Sequence, residues 1–180
     1  MRRLNTTYKI TLSAMFIAIA LVLPFLTGQI PAIGKMLLPM HIPVILCGFI
    51  CGWQYGLVSG FVTPILRSLI FHIPTMVPTA LAMAFELAAY GLICGILIKL
   101  LPKKLIYVYV ALVAAMLGGR IVWGAVMMCI TGITGSDFGF SAFIAGAFTS
   151  AFPGIILQLV IIPPLVKMTD RFFKRYVPKS

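Results

Sequence analysis

The chain has 180 residues, of which 62% are hydrophobic and 9% charged, with a formal net charge of +11 and a mean hydropathy of +1.13. A soluble domain needs charge over most of its surface, and a nucleic-acid binder needs a basic face on such a domain; this composition supplies neither. A bilayer-spanning helix takes about 20 mostly apolar residues, so six spans with short loops use up the sequence and leave no catalytic head. The fold class read from this is an all-α integral membrane protein with six transmembrane helices in a single transmembrane domain, residues 1–180.

The first span is predicted over residues 8–26. A turn rich in proline and glycine follows it, not a small-residue cleavage site, so it reads as a retained span and not as a signal peptide. Gly28, Pro31 and Gly34 make residues 27–39 an ordered loop. A short second span is predicted over 40–52 and a third over 55–71, with one broken helix as the alternative for this pair. Pro74 and Pro78 bracket a turn. The fourth span covers 79–101 and ends at Pro102-Lys103-Lys104, and the fifth covers 105–130, followed by a polar turn at 131–137. The sixth covers 140–168, with kinks expected at Pro153, Pro163 and Pro164.

Basic residues orient these spans. Arg2, Arg3 and Lys9 precede the first, Lys99, Lys103 and Lys104 lie between the fourth and fifth, and Lys167, Arg171, Lys174, Arg175 and Lys179 follow the sixth. Only Lys35 falls on the opposite side, so both termini are expected in the cytoplasm and the protein in the cell membrane, multi-pass. The net positive charge is therefore a topology signal.

Small residues recur at four-residue spacing: Ala14 with Ala18, Gly48 with Gly52, Gly56 with Gly60, and Gly91 with Gly95. In lipid such pairs let helix backbones approach closely, either inside the bundle or against another membrane protein. The second use is most attractive for Ala14 and Ala18. Cys47, Cys51, Cys94 and Cys129 form no C-x-x-C pair and read as small packing residues, not metal ligands. No cofactor is expected.

Three ionisable residues fall inside spans, where each costs about 2.5–3.5 kcal/mol at mid-membrane. At about 1.5 Å of rise per residue, Arg67, Glu86 and Arg120 all land in the outer half of the membrane. They form either an internal ion pair locking the third, fourth and fifth spans, or a polar pocket with surplus positive charge for an anionic ligand, ideally a carboxylate. Tyr90, Trp123, Thr63 and Ser68 lie at similar depths, and Met36, His41 and His72 lie where they would close over the top. Gln158, about eighteen residues down the sixth span and so near the inner half, reads as an interhelical hydrogen-bonding residue outside this group.

Size, six spans, cytoplasmic ends and a long first outer loop together resemble the substrate-binding S-components of energy-coupling factor (ECF) vitamin transporters. The stretch Ala14-Met15-Phe16-Ile17-Ala18 matches the small-residue A-x-x-x-A motif of that family's first helix. More specific is the run from Leu37 through Pro39, His41 and Pro43 to Val44, with Gly48 to Gly60 and Arg67 to Phe71 after it. These runs are similar to the subgroup assigned to pantothenate and to pyridoxine-like or pyrimidine precursors. The resemblance implies a membrane-embedded binding protein and not an enzyme. It implies capture of a small water-soluble vitamin, pantothenate first, at the outer face under the first loop. It also implies docking through Ala14 and Ala18 on a T-component that works with two cytoplasmic ATPase subunits. The chain has no G-x-x-x-x-G-K-[ST] phosphate loop of its own, in keeping with that division of labour.

On this reading Arg67, Glu86, Tyr90, Arg120, Trp123, His41 and His72 are the candidate substrate-binding residues. Two rivals remain. An intramembrane enzyme needs a dense set of ligands or a nucleophile with its base, which two histidines and three acids do not furnish. An autonomous carrier is commonly built on internal repeats, and the two halves of this chain show no convincing similarity.

Overall fold

The computed structural model describes residues 5–27, 38–102, 104–134 and 152–176. Among them are six α-helices and no strand: α1 (Thr6–Val22), α2 (His41–Cys51), α3 (Trp53–Phe71), α4 (Leu81–Leu100), α5 (Leu105–Thr134) and α6 (Phe152–Tyr176). A 3-10 turn, Leu23–Thr27, continues α1, and a π turn, Met76–Ala80, leads into α4. Four stretches are long and apolar enough to cross a membrane: Thr6–Phe25, Met76–Leu100, Leu105–Ile133 and Phe152–Phe172. The helix α2 is different. Its 11 residues reach about 16 Å, roughly half of a hydrocarbon core.

The predicted second and third spans are two helices, not one broken one. Gly52 separates them with φ at 105°, a value that residues with a Cβ rarely adopt. The chain folds back there into a tight hairpin, and a Cβ added at Gly56 would lie 2.6 Å from Gly48 Cα. The same face of α3 packs antiparallel on α4, and the contacts run Trp53 to Gly95, Gly56 to Gly91, and Gly60 to Leu87. Each is backbone against backbone. The glycine pairs therefore serve the interior of this bundle, whereas Ala14 and Ala18 lie exposed on α1.

Around this centre, α5 runs antiparallel to α4, with Cys94 facing the Ala111 carbonyl at one level and Glu86 facing Arg120 at another. Phe49, Val44, Leu87, Tyr90, Leu112, Ala115, Ile162 and Val166 join four helices in one apolar core. The helix α1 leans on α2 and α3 through Ser13, whose hydroxyl accepts the Cys47 thiol at 3.5 Å, and through Lys9 over the Tyr55 ring. Cys47, Cys51 and Cys94 are buried and Cys129 exposed, and no cluster of metal-binding side chains occurs among the described residues. Pro163 and Pro164 lie inside the continuous helix α6, and Pro153 lies in its first turn. The predicted start of this span at residue 140 and the loop residue Met36 lie outside the described residues.

Backbone contact leaves no room for a methyl group. Gly91→Ala drives its Cβ into the Gly56 carbonyl and should lower stability by about 1–3 kcal/mol, outweighing the gain in helix propensity. Gly132→Ala, which meets nothing within 4 Å, should cost nothing and should gain up to about 1 kcal/mol of helix propensity. Thermal unfolding of the two purified variants in detergent checks the contrast.

Candidate functional site

The short α2 begins deep inside the bundle, and its first residue, His41, stands at the level of Glu86. This follows from the hairpin: Gly48 meets Gly91, and seven residues back along α2 correspond to about 10 Å toward the Glu86 end of α4. The ring of His41 places Nε2 3.7 Å from Glu86 Oε1. From the neighbouring helix, Arg120 Nη1 lies 3.0 Å from the same oxygen. One turn along α4, the Tyr90 hydroxyl donates to it at 3.2 Å. Three helices thus deliver three groups to one carboxylate oxygen.

Local sequence makes this possible. Glu86 and Tyr90 share a helix face at i and i+4. Gly119 precedes Arg120, and a Cβ there would stand 3.0 Å from the Tyr90 ring, so the glycine lets the phenol lie flat against α5. The Tyr90 ring in turn meets His41 edge-on, with centroids 5.4 Å apart at 67°. All four side chains are at most 5% exposed.

The polar atoms left over are the informative ones. His41 Nδ1 and Nε2 and Arg120 Nε and Nη2 are buried with no hydrogen-bond partner among the described residues. A buried donor without an acceptor costs about 1–3 kcal/mol, more when charged. In Arg120 the guanidinium spends Nη1 on Glu86, while Nε and Nη2 form the parallel pair that grips a carboxylate side-on.

Arg67 is not part of this cluster. Extending the antiparallel register from Gly60 and Leu87 puts it about 9 Å beyond Glu86, toward the far end of α3. It is 2% exposed. Its Nη1 donates to the Leu21 carbonyl at 2.6 Å, and its guanidinium lies against both the Phe25 and Phe71 rings, 5.6 and 5.4 Å from their centroids. The expected pairing of two guanidiniums with one carboxylate therefore gives way to one. His72 caps α3 with φ at 60° and its ring exposed, apart from the cluster. Trp123, half-buried, sits one turn beyond Arg120 on α5, and Thr63 and Ser68 are buried on α3, with Thr63 bonded to the Ser59 carbonyl. Gln158 is 1% exposed on α6 with both amide atoms unpartnered among the described residues, so it makes no interhelical hydrogen bond there.

Apolar helices closed around a buried polar cluster define a multi-pass membrane protein. The model of the ECF transporter, substrate-specific component family matches residues 8–166. The chain belongs to that family, whose members are the substrate-binding components of transporters and not enzymes. Membership implies a small-molecule substrate and assembly with a T-component and ATPases. No curated protein and no solved structure gave a match.

Removing one member of a buried ion pair leaves the other stranded. Glu86→Leu should cost about 3–5 kcal/mol, and adding Arg120→Met to it should recover a large part of the loss. A double-mutant cycle read by unfolding in detergent measures the coupling.

Proposed function

We propose that this protein captures a small, anionic, water-soluble vitamin, pantothenate first, as the S-component of an ECF-type importer. One observation carries the reading: the Nε and Nη2 donors of Arg120 stand buried and unpaired beside a carboxylate that has already taken Nη1. Glu86 is then the residue that holds the guanidinium at a set angle, and the open side is a fork for the substrate carboxylate. His41 adds a ring N–H to the same acceptor. Tyr90 fixes Glu86 and walls the site, with Trp123 one turn beyond Arg120 to meet the apolar part of the substrate. Arg67 and His72 act nearer the rim, where Arg67 anchors the end of α1.

The buried edge-on pair of His41 and Tyr90 favours one second reading. A planar heterocyclic substrate, a pyridoxine-like compound or a pyrimidine precursor, would pack against those rings.

Six crossings with both termini in the cytoplasm of a cell membrane fit the basic residues. The cluster then faces the outer half, and the exposed Ala14 and Ala18 stripe on α1 docks on the T-component, while two ATPase subunits hydrolyse ATP. Isothermal titration of the purified chain against a vitamin panel tests the site. Arg120→Ala should weaken binding about 100-fold, whereas Arg67→Ala should keep affinity within a few-fold. Unchanged affinity in Arg120→Ala would rule out the fork.

A further inference from the structure

We propose that Gln158 is a third substrate-contacting group, and that it selects an anion that also carries an amide or hydroxyl group. The inference rests on the reading of Arg120 and His41 as the anion side of the site. The primary amide of Gln158 has one acceptor and two donor hydrogens. Both its Oε1 and its Nε2 are buried without a partner among the described residues. A bilayer offers it nothing in exchange, so burial of this amide in an apolar helix is disfavoured unless something polar comes to it.

Its position points to the same ligand. Gly154, Gln158, Ile162 and Val166 follow one another at i, i+4, i+8 and i+12 on the buried face of α6. Ile162 and Val166 are in the apolar core with residues of α2 and α5, and α6 packs directly on those two helices. They are the helices that carry His41 and Arg120. On α2, α4 and α5 the core residues give way, within a turn, to His41, Glu86 and Arg120 on one side of the core. Lys167 and Arg171 follow the core on α6, which assigns that end to the face of Lys9, Lys99 and Lys104. The other direction along α6 leads from Ile162 to Gln158, toward the side that holds the cluster.

Among the described residues, those with orphaned buried atoms thus come from three helices, α6 packing on the other two, and all three residues lie on the same side of the shared core. The fork of Arg120 satisfies a carboxylate, and an anion alone leaves the Gln158 carbonyl unmet. Only a ligand that also donates a hydrogen bond completes the set. An amide N–H or a hydroxyl meets the Gln158 oxygen, and the adjacent carbonyl meets its NH₂.

The experiment compares pantothenate with its ester isostere, in which the amide N–H is replaced by oxygen, on wild type, Gln158→Met and Gln158→Leu in detergent. Wild type should bind the amide about 10-fold tighter than the ester. In both variants the preference should vanish and pantothenate affinity should fall about 10-fold. In the ligand-free state the same substitutions should raise the unfolding midpoint by about 2–4 °C, because an unpaired buried amide is removed. A midpoint that falls or stays put overturns the proposal, since Gln158 would then be a structural hydrogen-bonding residue. Equal affinity of variants and wild type overturns it too and leaves the Arg120 fork standing. A wild type that binds neither ligand, nor any other amide- or hydroxyl-bearing carboxylate in the panel, overturns the fork and this inference together.

Discussion

A carboxylate and a guanidinium 3.0 Å apart, both almost wholly buried, set the terms for the rest of this protein. In lipid neither charge is tolerable alone, so Glu86 and Arg120 stabilise the fold only as a pair, and only if α4 and α5 hold them in register. The pair is not closed on itself. Of the three guanidinium nitrogens, Glu86 occupies one, and the two that remain form the geometry best suited to a second carboxylate. A purely structural ion pair gains nothing from that incompleteness. Unmet donors of this kind call for an acceptor, which in the function proposed above is the carboxylate of the ligand.

Glycine makes the pair possible from a distance. Gly48, Gly56 and Gly91 bring three helix backbones into direct contact, which binds α2, α3 and α4 into one unit. Helix association in lipid rests on packing, since burial of apolar side chains gains little when the solvent is itself apolar. The close approach has a second effect. Because α2 is only 11 residues long and is pinned at its Gly48 end, its other end stops in the middle of the bundle and delivers His41 to Glu86. A longer or looser helix would carry that histidine out to the membrane surface.

Arg67 shows how a similar side chain takes a different role when its surroundings differ. Two aromatic rings and the Leu21 carbonyl satisfy it, so it needs no anion. Its contacts tie the end of α1 to α3 in a helix that is otherwise largely exposed. The exposed face of α1 with Ala14 and Ala18 and the tethered end at Leu21 belong to the same helix. The docking proposed for that face and the anchoring at Arg67 therefore involve one and the same helix.

Much of this was legible in the sequence. Hydropathy runs, prolines and the distribution of lysines and arginines outlined the helices, because in a bilayer the cost of exposing a charge or an unpaired backbone group is large and local. The embedded Arg67, Glu86 and Arg120 announced themselves for the same reason. Which arginine meets Glu86 was not legible: counted along the sequence all three residues fall at a similar depth, and the offset of Arg67 from Glu86 follows only from the register at Gly60 and Leu87. The answer depends on rotation about each helix axis and on the register fixed by backbone contact at Gly60 and Gly91. Gln158 was passed over because a single amide in an apolar run reads the same whether it is bonded or not. Only the packing of α6 on its neighbours decided that its two polar atoms go unmet, since a hydrogen bond is made or lost over a fraction of an ångström that no spacing in the chain encodes.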